Sequence, residues 1–305
     1  MTTDKISIYF LGTDEFASTV LRRLLNDERF AVLGVVTPPD RKIGRHQVLT
    51  PCTAKEVALE AGLEVFHDHN ELIGREMDFL VAVSYGYFLS EEVLSVPRYE
   101  SLNVHASLLP KYRGASPVHA AILNGEEVTG VSVMRMVKKM DAGAVFAVSE
   151  VAMLDSDTTP LLRARLADVG GELLAQVLPG IVSGAAEGQE QNEVEVLYAP
   201  IIKREDGEIN WKLESAAEIE RKLRAYTPWP GIYTTLEGKR LKILRSFVKE
   251  GAVSEPGKVR QDGDDVVVET REGLLVLQEL QLEGKKALSV DEFIRGQGSF
   301  VGVVF

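Results

Sequence analysis

The first hundred residues alternate apolar runs of strand length with stretches whose apolar residues recur at helical spacing. That alternation leaves few architectures open. Ile6-Ser7-Ile8-Tyr9-Phe10-Leu11 is one such run and ends at Gly12. Thr13 is placed to cap a helix, with Asp14 and Glu15 in its first turn, where the helix dipole favours acids. Phe16, Val20, Leu21, Leu24 and Leu25 then follow a helical period. Further strands are predicted over 31–36 and 78–84, with a helix over 54–61. Apolar strands alternating with helices predict an α/β, Rossmann-like domain with a mainly parallel sheet covered on both faces. Its first turn carries one glycine and no G-x-G-x-x-G, which disfavours a dinucleotide-dependent dehydrogenase.

Downstream, a short strand over 101–105 runs into the segment 106–114, followed by a helix over 117–124. Strands over 131–137 and 144–151 read as a hairpin across the turn Met140-Asp141-Ala142-Gly143, and a long helix spans 160–182. Residues 184–195 are small, polar and acidic, the composition of a linker. After Ile209 the texture changes to a helix over 216–225 and short alternating segments over 232–236, 241–247, 265–270 and 273–281. These predict a small OB-like β-barrel. The expected division is therefore 1–188, a linker over 189–208, and 209–305, which 305 residues accommodate as two ordinary cores. Trp211 and Trp229 are expected as core anchors, with Pro228-Trp229-Pro230-Gly231 as a rigid turn against the linker.

The net charge of −12 argues against a broadly basic nucleic-acid surface, but it is unevenly spread. Residues 1–208 hold 19 Lys and Arg against 31 Asp and Glu, whereas 209–305 hold 15 of each. The last third is thus the less repulsive place for a polyanion. Single Cys52 cannot form an internal disulfide, and no Cys/His cluster has zinc spacing, so no metal is expected. No signal-like start and no apolar run of the roughly 18–20 residues that span a bilayer are seen, so a soluble, cytoplasmic protein is expected.

Asn103 and His105 are two apart on a predicted strand, so their side chains emerge on one face at the strand's end. Histidine suits proton transfer near neutral pH, and an asparagine amide can donate to an oxygen that becomes negative. Taken alone, such a pair is more often a pair of satisfied polar residues. Asp141 lies in a glycine-bearing turn after a neighbouring strand, from which a carboxylate could reach His105 if the strands are adjacent.

The run Asn103-Val104-His105-Ala106-Ser107-Leu108-Leu109-Pro110, then Arg113-Gly114, and later Asp141-Ala142-Gly143, resembles the signature of the folate-dependent formyltransferases. Gly12-Thr13, Pro39-Asp40-Arg41, Tyr85-Gly86, Trp229-Pro230 and Gly284-Lys285-Lys286-Ala287 extend the resemblance along nearly the whole chain, towards the branch that formylates methionyl-tRNA. Ala106 stands where that branch commonly has Gly, and Asp14 and Ser90 where it commonly has Pro. The resemblance implies 10-formyltetrahydrofolate as cosubstrate and initiator methionyl-tRNA as acceptor; a monomer is expected. It gives the catalytic roles to Asn103, His105 and Asp141. Folate contacts fall to Ser84, Tyr85, Gly86, Tyr87, Phe88 and Leu89, and to Ser107, Leu108, Leu109 and Pro110.

Arg41-Lys42-Ile43-Gly44-Arg45-His46 is a basic stretch in an acidic lobe, ordinarily no more than a solvated loop. The resemblance makes it the loop that meets the tRNA acceptor end, with Arg41, Lys42 and Arg45 as contacts. Lys239, Arg240, Lys242 and Arg245 would form a phosphate track if collected on one barrel face. Three rivals stay open: a formyltransferase acting on a small amine such as an amino-sugar nucleotide, a non-catalytic nucleic-acid-binding protein, and a hydrolase of formyl-folate.

Overall fold

The computed structural model describes residues 5–44 and 47–305. The chain divides into two compact units, one of residues 1–117, 127–153 and 161–199, the other of 118–126, 154–160 and 200–305.

In chain order the first part runs β1 (Ile6–Gly12), α1 (Glu15–Leu25), β2 (Phe30–Val36), β3 (Arg41–Ile43), β4 (Val48–Thr50), α2 (Thr53–Glu60), β5 (Glu64–Phe66), β6 (Phe79–Val83) and α3 (Glu91–Leu94). It continues with β7 (Glu100–His105), α4 (Pro117–Leu123), β8 (Val128–Arg135), β9 (Val145–Ala152) and α5 (Thr159–Ser183). Seven strands form one sheet in the order β5-β2-β1-β6-β7-β8-β9. The pairs from β5 to β7 are parallel, and β8 and β9 join antiparallel. The apolar runs are buried on both faces: Ile8, Phe10 and Leu11 of β1 and Phe79, Leu80, Val81 and Val83 of β6 have no exposed surface. This is the Rossmann-like sheet that the alternation predicts.

Several local features differ from expectation. Asp14, not Thr13, caps α1, accepting the Ala17 N–H at 3.3 Å, while the Thr13 hydroxyl reaches the Tyr85 carbonyl at 3.4 Å. Asp14 also pairs with Arg163 at 2.8 Å, so an acid at this position has a cap and a partner. Ser90 likewise caps α3, accepting from the Val93 N–H. The β3–β4 hairpin and β5 carry too little apolar periodicity for the sequence to show them. Helix α5, 25 residues long, is long and apolar enough to cross a membrane, which corrects the expectation that no segment is. Its buried residues include Leu162, Leu166, Ala167, Leu174 and Leu178. Gly170 brings the helix close against Val104 of β7 and Val131 of β8.

The second part holds α6 (Ala216–Tyr226), β10 (Ile232–Leu236), β11 (Lys239–Lys249), β12 (Val259–Asp262), β13 (Asp265–Glu269), β14 (Leu274–Leu282), β15 (Leu288–Ser289) and α7 (Val290–Gly296). Its six strands make an antiparallel sheet in the order β10-β11-β14-β13-β12, with β15 added to β14. Ser215 and Glu218 form a capping box that starts α6. Trp211 is a core anchor: it is buried, stacks on Phe305 at 5.5 Å and donates its indole N–H to Thr234 Oγ1 at 3.1 Å. Trp229 is not, being 55% exposed. The turn buries Pro230 against Gly207, which points the neighbouring indole outward.

Glu269, on β13, is 2% exposed and accepts from the Ser254 and Glu255 N–H groups, the Ser254 hydroxyl and the Arg260 guanidinium. Burial alone would raise its pKa, but these donors together hold it down at about 2. A depressed folded-state pKa stabilises above the unfolded carboxylate range, and that stability is lost as pH falls from about 4.5 towards 2. Glu269→Gln is expected to cost about 3 kcal/mol at neutral pH, because it leaves Arg260 and two N–H groups poorly matched. Its denaturation midpoint should also fall less on acidification from pH 5 to 3 than that of the natural protein. Equal acid sensitivity in both would show that Glu269 carries none of it.

Candidate active site

In an open α/β sheet, ligands lie beyond the carboxyl ends of the strands, where the strand order reverses. Here the order reverses between β1 and β6, so the turns after these strands and the end of β7 share that edge. His105 ends β7, buried, with its backbone paired to Ser132 of β8.

Beyond His105 the chain folds back tightly. Ser132, fully buried, donates its hydroxyl to the Ser107 carbonyl at 2.7 Å and accepts the Leu109 N–H at 3.0 Å. The Ser107 hydroxyl donates to the Lys111 carbonyl at 2.7 Å. So tied, the loop sets the Tyr112 carbonyl 2.9 Å from His105 Nε2. A carbonyl only accepts, so this contact places a hydrogen on Nε2. Nδ1 is left as the nitrogen able to exchange a proton, and it faces Asp141 Oδ2 at 3.8 Å. The expected nearness of His105 and Asp141 is therefore present, through the adjacency of β7 and β8 and the β8–β9 turn.

Asp141 is itself held. Its Oδ2 accepts the Gly114 N–H at 2.8 Å, and its backbone lies at φ +50°. Ser84 at +48° and Tyr112 at +63° share this left-handed region, which costs a side-chain-bearing residue roughly 1 kcal/mol or more. Strain of this kind persists where surrounding bonds fix it, and three of the five such residues described lie at this edge. Asn103, paired through its backbone to Ala82 and Met134, is half-buried. Its carboxamide makes no hydrogen bond among the described residues, so its N–H donors are free for a ligand.

The segment after β6 is divided. Tyr85 is buried in the core with Tyr9, Leu11, Leu80 and Val93, its hydroxyl 3.2 Å from His69 Nδ1. Burial, then the neighbouring Tyr87 and Asp68, push its pKa up to about 12, so the phenol stays neutral. Gly86, Tyr87 and Phe88 are exposed, Phe88 at 76%, while Leu89 packs on the core. In the second loop Ser107 is buried with its hydroxyl spent internally, Leu109 is buried, and Leu108 and Pro110 are half-buried. Arg41 and Lys42 are exposed on β3, and the Arg41 guanidinium comes within 3.5 Å of the Tyr87 hydroxyl. Arg45 and His46 lie outside the described residues. Arg240 and Lys242 share one face of β11, with the Arg240 guanidinium 4.3 Å over the Tyr233 ring. Lys239 is exposed at the strand's start, on the alternate register.

Ser132, Gln191 and Arg163 belong to this region and no motif marks them. Arg163 bridges Asp14 and the Ser84 hydroxyl, at 2.8 and 3.3 Å. Ser132 had a faint signal, a lone hydroxyl in an apolar strand, since a buried hydroxyl requires a partner.

The family described as formyl transferase matches residues 4–178, and the family described as formyl transferase, C-terminal domain, matches 201–298. A methionyl-tRNA formyltransferase of Dehalococcoides mccartyi is 41% identical, covering 98% of both chains. That of Bacillus subtilis (strain 168) is 38% identical over 95% of this chain and 94% of its own. Among solved structures, an N-formyltransferase from Helicobacter canadensis superposes with a TM-score of 0.69 at 19% identity, covering 90% of this chain and 99% of that one, a likeness of fold.

Proposed function

The chain belongs to the formyl transferase family, and on that premise we propose that it moves the formyl group of 10-formyltetrahydrofolate onto the α-amine of initiator methionyl-tRNA. The observation that carries this reading is the near full-length similarity to methionyl-tRNA formyltransferases, through both the sheet domain and the small β domain. The arrangement around His105 supports it chemically, and the reading takes the enzyme to act in the cytoplasm as a monomer.

Attack of an amine on the formyl carbon forms a C–N bond and a tetrahedral oxyanion, which collapses as the folate nitrogen leaves. The attacking amine must give up a proton and the leaving nitrogen must gain one. Asn103, with an uncommitted carboxamide, donates to the oxyanion. His105 exchanges the proton at Nδ1, since Nε2 is committed to Tyr112. Asp141 presents its carboxylate to Nδ1, so that a proton arriving there meets a negative charge. The exposed Tyr87 and Phe88, with the backbone of 84–89 and of 107–110, offer the flat ring system of the folate an apolar platform. A pterin suits such a surface.

Formyl transfer measured side by side with charged initiator tRNA, charged elongator methionine tRNA and an amino-sugar nucleotide tests the reading. Transfer to the initiator tRNA well above the other two is expected. Preference for the sugar nucleotide would reassign the acceptor.

The grip on tRNA divides into two parts. Arg240 and Lys242, which share one face of β11, act as phosphate contacts, so Lys242→Ala should lower the salt slope of tRNA binding by about 1 without changing preference among tRNAs. Arg41, Lys42 and Arg45 act where the acceptor end enters. Arg45→Ala should therefore depress kcat/KM on full-length methionyl-tRNA far more than on a short aminoacyl fragment. Equal losses on both substrates would remove the docking role.

A further inference from the structure

The segment that composition reads as a linker is built into the catalytic edge. Gln189 pairs with Val145 in both directions, N–H to carbonyl, at 2.8 and 2.9 Å. Arg113 donates its N–H to the Leu197 carbonyl at 2.9 Å, and its own carbonyl accepts the Ala199 N–H at 2.8 Å. The chain over 189–199 thus straps the loop that follows His105 to the turn that carries Asp141.

At the centre of the strap is Gln191. Its Nε2 donates to the Asp141 carbonyl and to the Gly143 carbonyl, each at 2.8 Å. Its Oε1 accepts from Arg113 Nε at 2.9 Å. The orientation of the amide is unambiguous, because carbonyls only accept and a guanidinium only donates. Arg113 is itself 1% exposed and donates through Nη2 to Glu193 at 2.9 Å. Arg113 and then Lys139 hold the Glu193 carboxyl down at about 2, so it keeps its charge through the neutral range. One side-chain amide therefore fixes the backbone on both sides of Ala142, and fixes it to the residue next to Gly114, whose N–H holds the Asp141 carboxylate.

We propose that Gln191, backed by Arg113, is a positioning residue for formyl transfer. It clamps the 141–143 turn so that the Asp141 carboxylate stands opposite His105 Nδ1. The proposal rests on the catalytic reading of Asp141. The Asp141 backbone at φ +50° gives the clamp its purpose: the turn is held in a conformation that a side-chain-bearing residue leaves readily. A carboxylate displaced by about 1 Å would no longer meet a proton on Nδ1, and misplacement on that scale costs on the order of 10²-fold in rate.

Gln191→Glu separates positioning from mere attachment. A glutamate keeps, and strengthens, the contact with Arg113, so the strap stays docked. It replaces both donors with acceptors facing two carbonyls, which pushes the turn away. Gln191→Leu removes all three bonds and serves as the second variant. The expected result for Gln191→Glu is a thermal midpoint close to that of the natural protein, KM values for formyl-folate and methionyl-tRNA changed less than threefold, and kcat reduced about 10- to 100-fold. Combined with Asp141→Asn, either substitution should add less than a threefold further loss, because no carboxylate remains to be placed.

Retention of kcat within twofold in both Gln191 variants, with Asp141→Asn still severely impaired, would overturn the clamp and leave the catalytic reading standing. Full and independent losses in the Asp141→Asn background would also overturn it. Near-normal turnover by Asp141→Asn alone would overturn the catalytic reading, and the clamp with it.

Discussion

His105→Gln is expected to fold with nearly natural stability and to lose roughly 10²–10⁴-fold in kcat, the range for an acid/base group. The choice of glutamine follows from the contact at Nε2. Alanine would remove the Nε2 donor that the Tyr112 carbonyl meets, a buried hydrogen bond whose loss costs about 1 kcal/mol. Glutamine can supply that donor from its own amide and cannot carry the proton. Asn103→Ala is the complementary experiment. Because the Asn103 carboxamide holds no partner among the described residues, its removal should leave stability within about 0.5 kcal/mol and cost roughly 10²–10³-fold in kcat. Asp141→Ala should be the least stable of the three, since it also frees the Gly114 N–H. Single-turnover rates with saturating formyl-folate and methionyl-tRNA, read beside thermal midpoints, give the comparison. Any one variant with near-normal turnover takes that residue out of the chemistry.

These residues were legible in the sequence for a physical reason. Asn103 and His105 lie two apart on the strand Glu100–His105, so a period of two puts them on one face, and the motif that follows them gives the pair its meaning. Asp141 was legible because the hairpin over β8 and β9 announces its turn with glycine. What surrounds them was not. Gln191 works on carbonyls 48 and 50 positions away and on Arg113 78 positions away, and backbone acceptors leave no trace in side-chain patterns. Composition reported only that residues 184–195 are polar, which is true equally of a free linker and of a strap whose backbone is paired. Trp229 was misread for a related reason: hydrophobicity predicts burial, but burial of Pro230 in the same turn leaves its neighbour nowhere to go but outward. Threonine and aspartate both serve as N-caps, and one residue of register moves the cap from the expected Thr13 to Asp14.

Gly114→Ala is expected to cost about 10²-fold in kcat through a methyl group that touches no substrate. Gly114 lies at φ +118°, a conformation that side-chain-bearing residues rarely adopt, and an added Cβ would stand 2.6 Å from the Ala199 carbonyl oxygen. That oxygen belongs to the strap's backbone and cannot swing aside as a flexible side chain can. Either the loop over 112–114 or the strap must therefore shift, and the first atom affected is the Gly114 nitrogen, 2.8 Å from Asp141 Oδ2. Strain of this kind carries a stability loss of about 1–3 kcal/mol, so stability alone cannot show what the glycine is for. Gly62→Ala supplies the control. Gly62 also lies at positive φ, +68°, beyond the end of α2, and its added Cβ would meet nothing within 4 Å. It should lose about 1–2 kcal/mol with kcat unchanged. Comparing kcat for the two variants well below their unfolding temperatures isolates the effect on Asp141 from the effect on folding. Equal, small kcat losses in both would mean that the Gly114 N–H does not hold the carboxylate in the working enzyme.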